Sequence, residues 1–498
     1  MRNSESQIVD GIHGRSLVQH CPVTSTNRVV ALDIIRGFAL IGILLMNIEW
    51  FNRPLAEIGR FDVNLTGLDW AASWFIKVFV EGKFWKLFTL LFGMGFAIMI
   101  IKAQESNRAY ISLFVRRMMF LFFMGVIHMV FIWSGDILNL YAIGGLMMLA
   151  WISIIHTKKF KRFNKPIVFL RIGLVMLIIP VMIPLIGAIY LGLTNDNQDV
   201  MKEWQYKQNI IILTDQRLAT LVDNNEPILN SKSSFSHQPY IKSSNVSDSE
   251  IKAANENLNS DVEVAIKKYN TRKNMSNEEV TAFTQSSYWF ATLYRIKVAM
   301  VRLKVAPLGT LFIGIPVFFI GYWLIASGIM RKPDQHIVFF KYLTLIGGGF
   351  GLFLTITGVM INLHPATDSA FEIKLASQGL FTLGKDVLTA GYLGGLMWLI
   401  INNRFKMFFS WLAPMGRMAL TNYISHSIIL STLFYGYAGA MFGEVARADQ
   451  IIIVAIIIIN QALISRWWLR HFQFGPLEWL WRSITYLKVQ PMIIYKAK

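Results

Sequence analysis

Long apolar runs recur along the chain and predict helices that cross a membrane. Each run holds about 20 residues with few charges, which is the length that an α-helix needs to span the hydrocarbon core of a bilayer. The first run is "VALDIIRGFALIGILLMNI", which begins at Val30. The runs together predict ten spans, near residues 30–50, 84–102, 113–133, 136–156, 167–193, 306–330, 338–363, 382–402, 415–437 and 449–469.

Two segments depart from this pattern. Residues 67–80 are rich in Trp and Phe but contain Lys77, which fits either a span or a helix lying at the membrane interface. Residues 194–305 are polar and predict a helical insertion between the fifth and sixth spans. The spacing of a helix-capping box occurs there at Ser247 with Glu250 and at Ser276 with Glu279.

The number and placement of charged residues agree with the predicted spans. Of the 498 residues, 54% are hydrophobic and only 16% are charged, whereas a soluble chain carries about 25% charged residues. Lysine and arginine concentrate in alternate loops, as in "TKKFKRFNK", while "WSGD" and "GEVARAD" are acidic or balanced. The positive-inside rule therefore predicts an even number of spans with both termini in the cytoplasm. The net charge of +18 is assigned to this topology and not to nucleic-acid binding.

The sequence thus predicts an all-α polytopic membrane helix bundle of about ten spans, placed in a bacterial inner membrane with the lipid bilayer as its first partner. No signal peptide precedes the first run. The predicted parts are a disordered cytoplasmic tail (1–28), an N-terminal membrane half (29–193), an extracytoplasmic insertion (194–305), a C-terminal membrane half (306–470) and a cytoplasmic interfacial tail (471–498) anchored by Trp479 and Trp481.

Several site classes find no support in the sequence. Cys21 is the single cysteine, which excludes a disulfide framework or a multi-cysteine metal site within this chain. No P-loop, G-x-S-x-G, H-E-x-x-H or C-x-x-C pattern occurs. We therefore expect no bound metal, and look to polar residues inside the spans, which are costly there and so mark candidate sites.

One polar group is predicted at the cytoplasmic ends of the spans. It consists of Asp33 and Arg36 on the first span and Arg417 at the start of the ninth. Because Asp33 and Arg36 are three residues apart, they share one helix face and can pair with each other. The alternative is that Arg36 or Arg417 binds a phosphate group arriving from the cytosol, which suits the guanidinium fork.

A second polar group is predicted near the outer ends of the spans. His128 and Asp136 lie on either side of the "WSGD" reversal, which brings them to similar depth. An imidazole beside a carboxylate is the arrangement of an oriented general base, although a lone buried histidine is more often structural. Asn422 and His426 share one span and fit hydrogen-bonded packing. The other outer polar residues are Asn47, Lys83, Lys86, His364, Lys385 and Asp386.

Five motifs resemble the YeiB-like family of bacterial inner-membrane proteins. They are "RVVALDIIRGFALIGILLMNI", "GKFWKLFTLLFGMG", "HMVFIWSGDILNLYAIGGLMML", "GRMALTNYISHSII" and "FGPLEWLWRSITY". The family resembles in turn a wider group of transmembrane acyltransferases, which includes heparan glucosaminide N-acetyltransferase and the sugar O-acyltransferases. The group shares an L-D-x-x-R-G opening, matched here by Leu32, Asp33, Arg36 and Gly37.

The resemblance implies acyl transfer from cytosolic acyl-CoA, such as acetyl-CoA, to a hydroxyl or amine of a small-molecule or glycan acceptor at the outer face. It implies a CoA-binding site at Asp33, Arg36 and Arg417, with the arginines facing the phosphates, and either catalysis by His128 with Asp136 or loss of the chemistry. The sugar O-acyltransferases carry a histidine near the outer end of the first span, where this chain has Asn47. The expected acceptor-binding residues are Asn47, Lys83, Tyr141 and Asn422.

Two other functions remain open from the sequence. A transporter or flippase of a lipid or small molecule would show repeats and Gly- or Pro-interrupted spans; Pro180, Pro184 and Pro316 interrupt spans, but no convincing repeat is present. A non-catalytic scaffold would need none of the polar residues for chemistry. The acceptor is not specified by the sequence, and neither is the oligomeric state, for which a homo-oligomer is one alternative.

Overall fold

The computed structural model describes residues 30–55, 65–105, 111–155, 163–193, 248–364 and 371–494, together with residues 206, 210 and 213. The predicted tail 1–28 and the capping residue Ser247 lie outside these residues. Within them the chain is helical, and β-structure is limited to one isolated bridge between Phe472 and Ile493. The prediction of an all-α bundle is therefore confirmed.

Sixteen α-helices make up the described part of the chain. They are α1 (Val30–Asn52), α2 (Gly67–Phe75), α3 (Phe84–Glu105), α4 (Ile111–Phe131), α5 (Leu138–Ile155), α6 (Pro166–Leu193), α7 (Asp248–Thr284), α8 (Tyr288–Gly309), α9 (Ile315–Ala326), α10 (Ile337–Thr344), α11 (Gly351–Leu363), α12 (Phe371–Ile401), α13 (Lys406–Arg417), α14 (Ala419–Phe434), α15 (Arg447–His471) and α16 (Pro476–Tyr486). Short π-helical turns extend α2 (Ile76–Val80) and join α8 to α9 (Thr310–Gly314) and α10 to α11 (Leu345–Phe350).

Eight helical segments of the described chain are long and apolar enough to cross a membrane. Their outward surface suits a bilayer: on α6, for example, Val175, Ile183 and Ile189 are more than half exposed. The eight segments are Val30–Asn52, Gly67–Ala103, Ile111–Phe131, Leu138–Ile155, Pro166–Leu193, Tyr288–Ala326, Pro333–Leu363 and Arg447–His471.

Two of the ten predicted spans are absent from these eight. The span predicted at 382–402 falls within α12, which has 31 residues and carries Lys385 and Asp386. The span predicted at 415–437 is broken: the chain leaves helical geometry at Met418, between α13 and α14. Neither α13 nor α14 has the length of a single crossing, which hydropathy alone did not reveal.

The sixth crossing segment begins earlier than the sequence predicted. Residues 288–305 were assigned to the polar insertion, yet α8, the π-turn and α9 form one segment from Tyr288 to Ala326. Four cations lower the hydropathy of this stretch and hid the span. They do not share one environment: Arg295 is completely buried, whereas the side chain of Lys297 is 62% exposed.

The insertion contributes one long helix, and one of its predicted caps is wrong. Ser276 and Glu279 lie inside the continuous helix α7, so Ser276 does not begin a helix. The carboxylate of Glu279 instead accepts a hydrogen bond from the backbone N–H of Leu55 at 3.0 Å. This contact attaches α7 to the chain that follows α1.

Residues 67–80 form the first half of a broken crossing segment. α2 and its π-helical extension continue into α3 across a turn at 81–83, and the apolar stretch from Gly67 to Ala103 counts as one segment. Gly82 in the turn has φ +77°, a left-handed conformation that glycine adopts without strain. α2 packs against α15, and Asp69 accepts a hydrogen bond from the first turn of α15, at Ala448 N, at 2.8 Å.

Helix α1 lies at the centre of the bundle and packs against α3, α13, α14 and α15. Its closest neighbour is α13. A Cβ atom on Gly37 would overlap the carbonyl of Leu412, and one on Gly416 would overlap the carbonyl of Asp33. Two glycines therefore let these helices meet backbone to backbone.

The C-terminal helix α16 closes one end of the bundle over α4 and α14. The carboxylate of Glu478 accepts hydrogen bonds from the backbone N–H groups of Leu420 and Thr421 at 2.7 and 3.1 Å, and from the Thr421 hydroxyl at 2.6 Å. Glu478 thus caps the free start of α14 from a distant part of the chain. Burial raises the pKa of this carboxyl above its ordinary value, against the opposing effect of its hydrogen bonds.

Candidate functional site

The central feature of the candidate site is a buried pair of His128 and Asp136. His128 lies in the last turn of α4, and Asp136 precedes α5 after a short reversal. The Nδ1 atom of His128 lies 2.9 Å from Oδ1 of Asp136, and both side chains are fully buried. The structure therefore brings together the two residues that the sequence singled out as an oriented base.

Asn139 fixes the carboxylate of Asp136. The Oδ2 atom of Asp136 accepts hydrogen bonds from the backbone N–H and from the side-chain amide of Asn139, both at 3.0 Å. These contacts also cap the first turn of α5. Asp136 consequently has both oxygens engaged and cannot rotate without breaking three hydrogen bonds.

The second ring nitrogen of His128, Nε2, is not engaged by Asp136. Because the carboxylate can only accept, Nδ1 carries the proton of the neutral ring, which leaves a lone pair on Nε2. Nε2 is buried and has no hydrogen-bond partner among the described residues. A histidine held by a carboxylate with its second nitrogen unengaged is the geometry of a general base.

Aromatic side chains surround the ring of His128. The ring of Tyr423, on α14, lies 5.3 Å away, and that of Trp133 lies 6.3 Å away. The Tyr423 hydroxyl is close to Asp136 but makes no hydrogen bond of normal geometry within the described chain. Trp133 in turn stacks on Phe51 at the end of α1, at 4.4 Å.

Two arginines on α8 complete this environment, and the sequence did not predict either of them. Arg295 is completely buried; its Nε donates to the carbonyl of Val130 at 3.0 Å and its Nη2 to the hydroxyl of Thr292 at 2.8 Å. Its Nη1 is buried without a partner among the described residues. Arg302, two helical turns further on, is close enough to act electrostatically on Asp136 and Tyr423.

A sequence signal for these arginines exists in their spacing. One face of α8 carries the buried residues Thr292, Arg295, Ala299 and Ala306. Arg302 follows Arg295 by seven residues, which is about two helical turns, so it belongs to the same face. The signal was missed because residues 288–305 were assigned to a polar insertion, where arginines are expected on the surface.

Two of the residues predicted to bind the acceptor are used in packing, and a third lies in a different part of the bundle. Tyr141 is buried, with its hydroxyl 3.4 Å from the hydroxyl of Thr89 and 3.4 Å from the carbonyl of Trp85. Asn422 joins α14 to α15 by donating to the hydroxyl of Ser465 at 3.1 Å. Lys83 belongs to a separate cluster of lysines described below.

Asn47 remains a half-buried residue on α1. Its neighbour Ile48 packs in the same apolar cluster as Trp133, which places this stretch of α1 on the same side of the bundle as the pair of His128 and Asp136. His364 is exposed at the end of α11.

The predicted group of Asp33, Arg36 and Arg417 lies at the end of the bundle where α1 begins, called here the inner end. Nη1 of Arg36 is 2.8 Å from Oδ1 of Asp33, so the pairing expected from their spacing occurs. Arg417 lies at the end of α13, which touches α1 through Gly416, and its Nη2 donates to the carbonyl of Gln473 at 3.1 Å. All three predicted residues are thus at the inner end.

Two further arginines join the inner end. The guanidinium of Arg117 stacks on the ring of Trp481 at 3.8 Å, and the indole N–H of Trp481 donates to the Arg117 carbonyl at 3.0 Å. Arg36 and Arg482 act electrostatically on Arg117. The sequence pattern gave no reason to single out Arg117 or Arg482, because the contact of α16 with α4 is tertiary.

Comparison with known proteins gives relatives but no activity. Residues 324–488 match the family model described as "Protein of unknown function (DUF418)". The chain is 27% identical over 483 residues to the uncharacterized protein YxaH of Bacillus subtilis, covering 95% of this chain and 97% of that protein. It is 26% identical over 478 residues to the uncharacterized protein YeiB of Escherichia coli, covering 94% and 98%.

No solved structure matches this chain. The relatives support the resemblance to a YeiB-like family, and their names assign neither a substrate nor a reaction. Across almost its whole length, the chain is similar to bacterial proteins that are uncharacterized, and the described part has the helices of a multi-pass membrane protein.

Proposed function

We propose that this protein is a transmembrane acyltransferase that moves an acyl group from acyl-CoA to a hydroxyl or amine. The observation that carries the proposal is the buried pair of His128 and Asp136, with Asp136 fixed by Asn139 and Nε2 of His128 left without a partner in the described chain. Such a pair has a chemical use, because it can accept a proton from an attacking acceptor.

The proposed reaction is a direct transfer. Nε2 of His128 takes the proton from the acceptor O–H or N–H as the acceptor atom bonds to the thioester carbonyl carbon. The tetrahedral oxyanion then collapses, the carbon–sulfur bond breaks, and the proton passes from His128 to the departing CoA sulfur. Asp136 stabilises the imidazolium that exists between these two steps.

Arg302 is suited to stabilise the oxyanion. Its positive charge interacts most with Glu279 and Tyr294, and also with Asp136 and Tyr423 beside the proposed base; a preorganised cation favours the developing negative charge. The Tyr423 hydroxyl, which lacks a normal hydrogen bond in the described chain, is a second donor for the same oxygen.

The inner end is suited to bind the CoA phosphates. Arg36 and Arg482 are near enough to Arg117 to act on it electrostatically, and Asp33 supplies one carboxylate to Arg36. The surplus of positive charge and the fork geometry of arginine favour phosphate. α1 runs from this end toward the apolar cluster that holds Trp133, so the acyl-bearing arm would extend along α1.

This proposal also accounts for Asn47. In the sugar O-acyltransferases that the sequence resembles, a histidine stands near the outer end of the first span. Here the base would come from α4, through His128, on the side of the bundle to which Asn47 and Ile48 belong.

Transport of a small molecule is the second candidate. The observation that favours it is the break at 81–83, which interrupts a crossing segment and carries the buried Lys83. Broken helices of this kind line substrate sites in many secondary transporters. A transporter would bind its substrate without consuming a thioester, so the two functions are separated by measuring covalent turnover.

The test uses the full chain purified in detergent with acetyl-CoA labelled in the acetyl group. Free CoA thiol and transferred label are measured for the wild type and for variants His128→Ala, Arg417→Ala and His426→Ala. With water in place of the acceptor, we expect slow release of CoA and acetate by the wild type, its loss in His128→Ala, and a raised KM in Arg417→Ala. His426→Ala, a second buried histidine, is the matched control. No release of CoA and no binding of acetyl-CoA by the wild type would contradict acyl transfer.

A further inference from the structure

A cluster of lysines surrounds the break between α2 and α3. Lys83 in the turn is completely buried, and its ammonium donates to the carbonyl of Lys77 at 3.2 Å. Lys385 comes from the opposite side, on α12, with its side chain against Gly82. A side chain on residue 82 would collide with that of Lys385, so glycine at this position also makes room for the cluster.

The cluster carries more positive than negative charge. Lys77 pairs with Glu81 at 2.9 Å, and Lys86 pairs with Asp386. Within the described residues, Lys83 and Lys385 form no ion pair. Two ammonium groups therefore remain in surplus in a region of low dielectric, where like charges repel strongly.

The ammonium groups converge on one ring. Those of Lys385, Lys77 and Lys83 lie 4.4, 5.3 and 5.5 Å from the ring centre of Phe381. Cation–π contacts offset part of the cost of burial. They do not supply the negative charge that would neutralise two buried cations.

We propose that this cluster is a binding site for a dianionic oxyanion, a phosphate group, held between Lys83 and Lys385. A surplus of two positive charges matches a dianion, and ammonium groups bind phosphate as compact point charges. The positive end of α3, a helix of 22 residues, begins at Phe84 directly after Lys83 and adds to the attraction.

The site is independent of acyl transfer. It consists of lysines on α2, α3 and α12 and of the turn at 81–83, whereas the proposed CoA site consists of arginines at the inner end. A bound phosphate at the break is compatible with an enzyme and with a transporter, so failure of one proposal leaves the other standing.

The experiment measures thermal unfolding of the full chain in phosphate-free buffer and detergent. Two probes are compared: inorganic phosphate, and dihexanoyl phosphatidic acid, whose headgroup carries a phosphate monoester. Chloride at equal ionic strength is the control for screening. The variants are Lys83→Met and Lys385→Met, and Lys297→Met is the matched control because its lysine is exposed and paired with Glu278.

We expect phosphate to raise the melting temperature of the wild type and of Lys297→Met beyond the effect of chloride. Lys83→Met should lose this shift, yet without phosphate it should melt no lower than the wild type, since one of several like charges has been removed. Lys385→Met, with a half-exposed side chain, should weaken phosphate binding by about tenfold or more, and decides the question if Lys83→Met does not fold.

The two probes distinguish binding of a phosphate group in general from binding of a lipid headgroup. Stabilisation by both probes assigns the site to the phosphate group itself, and stabilisation by phosphatidic acid alone assigns it to a lipid headgroup. No shift beyond chloride with either probe overturns the proposal, and so does a full shift retained in both lysine variants.

Discussion

Two histidines lie buried in the bundle, and each has one ring nitrogen engaged and one without a partner among the described residues. His128 is bonded to the carboxylate of Asp136, whereas His426 is bonded to the neutral amide of Gln461. Burial alone therefore does not distinguish a candidate base from a packing residue. The charge of the partner does, because only a carboxylate stabilises the imidazolium that a base becomes.

The surroundings of the partners reinforce the difference. The amide of Gln461 also donates to the carbonyl of Asn422 at 3.2 Å and to the hydroxyl of Ser425 at 2.7 Å, so it joins α15 to α14. Asp136 is held in addition by the two hydrogen bonds from Asn139, at the start of its own helix. The pair of His426 and Gln461 joins two helices, whereas the pair of His128 and Asp136 orients the imidazole ring of His128.

The largest expected effect separates the two histidines directly. His128→Gln should lower acetyl-CoA turnover by about 10²–10⁴-fold, the usual contribution of a general base, while His426→Gln should lower it less than tenfold. Turnover of both variants is measured by thiol release at equal protein concentration. Equal losses would show that His128 acts only through packing.

The next largest effect on turnover is expected when the negative charge of Asp136, the partner of His128, is removed. Asp136→Asn preserves the shape of the pair but makes it resemble that of His426, so turnover should fall by about 10²-fold. Its melting temperature, followed by tryptophan fluorescence, should change little, because the amide oxygen can accept both hydrogen bonds from Asn139 while the amide N–H donates to Nδ1 of the opposite ring tautomer. A variant with unchanged turnover would remove the carboxylate from the mechanism.

The reverse exchange tests whether a carboxylate alone makes a base. Gln461→Glu gives His426 a carboxylate partner but removes the donor to Asn422 and Ser425. We expect a loss of about 1–3 kcal/mol of stability and no gain of turnover in a double variant with His128→Gln. Restored turnover would mean that position within the bundle matters less than the partner.

The smallest expected effect concerns the buried carboxyl group of Glu478, which lies outside the two histidine pairs. Burial raises the pKa of Glu478 above its ordinary value of 4.5, so the folded state holds its proton more tightly than the unfolded state. Stability should therefore fall as pH rises from 4.5 through the raised pKa. Melting temperatures of Glu478→Gln should lack this component, and an identical pH dependence in variant and wild type would contradict it.

Local signals explain what the sequence could predict. Apolar runs near 20 residues identified most crossing segments, because each depends only on its own composition. The pairing of Asp33 with Arg36 follows from helix spacing. His128 and Asp136 are only eight residues apart across a short reversal, so their contact is nearly local too.

Tertiary contacts explain what the sequence could not predict. The start of the Tyr288–Ala326 segment was not evident because Arg295 is buried against another helix, where it donates to the carbonyl of Val130. The break at Met418 depends on Glu478, 60 residues later. The use of Asn422 in packing depends on Ser465, a residue of α15 that no spacing rule connects with it.

The cap on α14 has a consequence for how the protein is made. The N–H groups at Leu420 and Thr421 receive their acceptor from Glu478, which the ribosome adds after α15 has been synthesised. Until then, the start of α14 has polar groups that only water or lipid headgroups can satisfy. Helix α16 therefore completes a break that lies 60 residues earlier in the chain, and a nascent chain stopped ahead of α16 would leave the start of α14 without its cap.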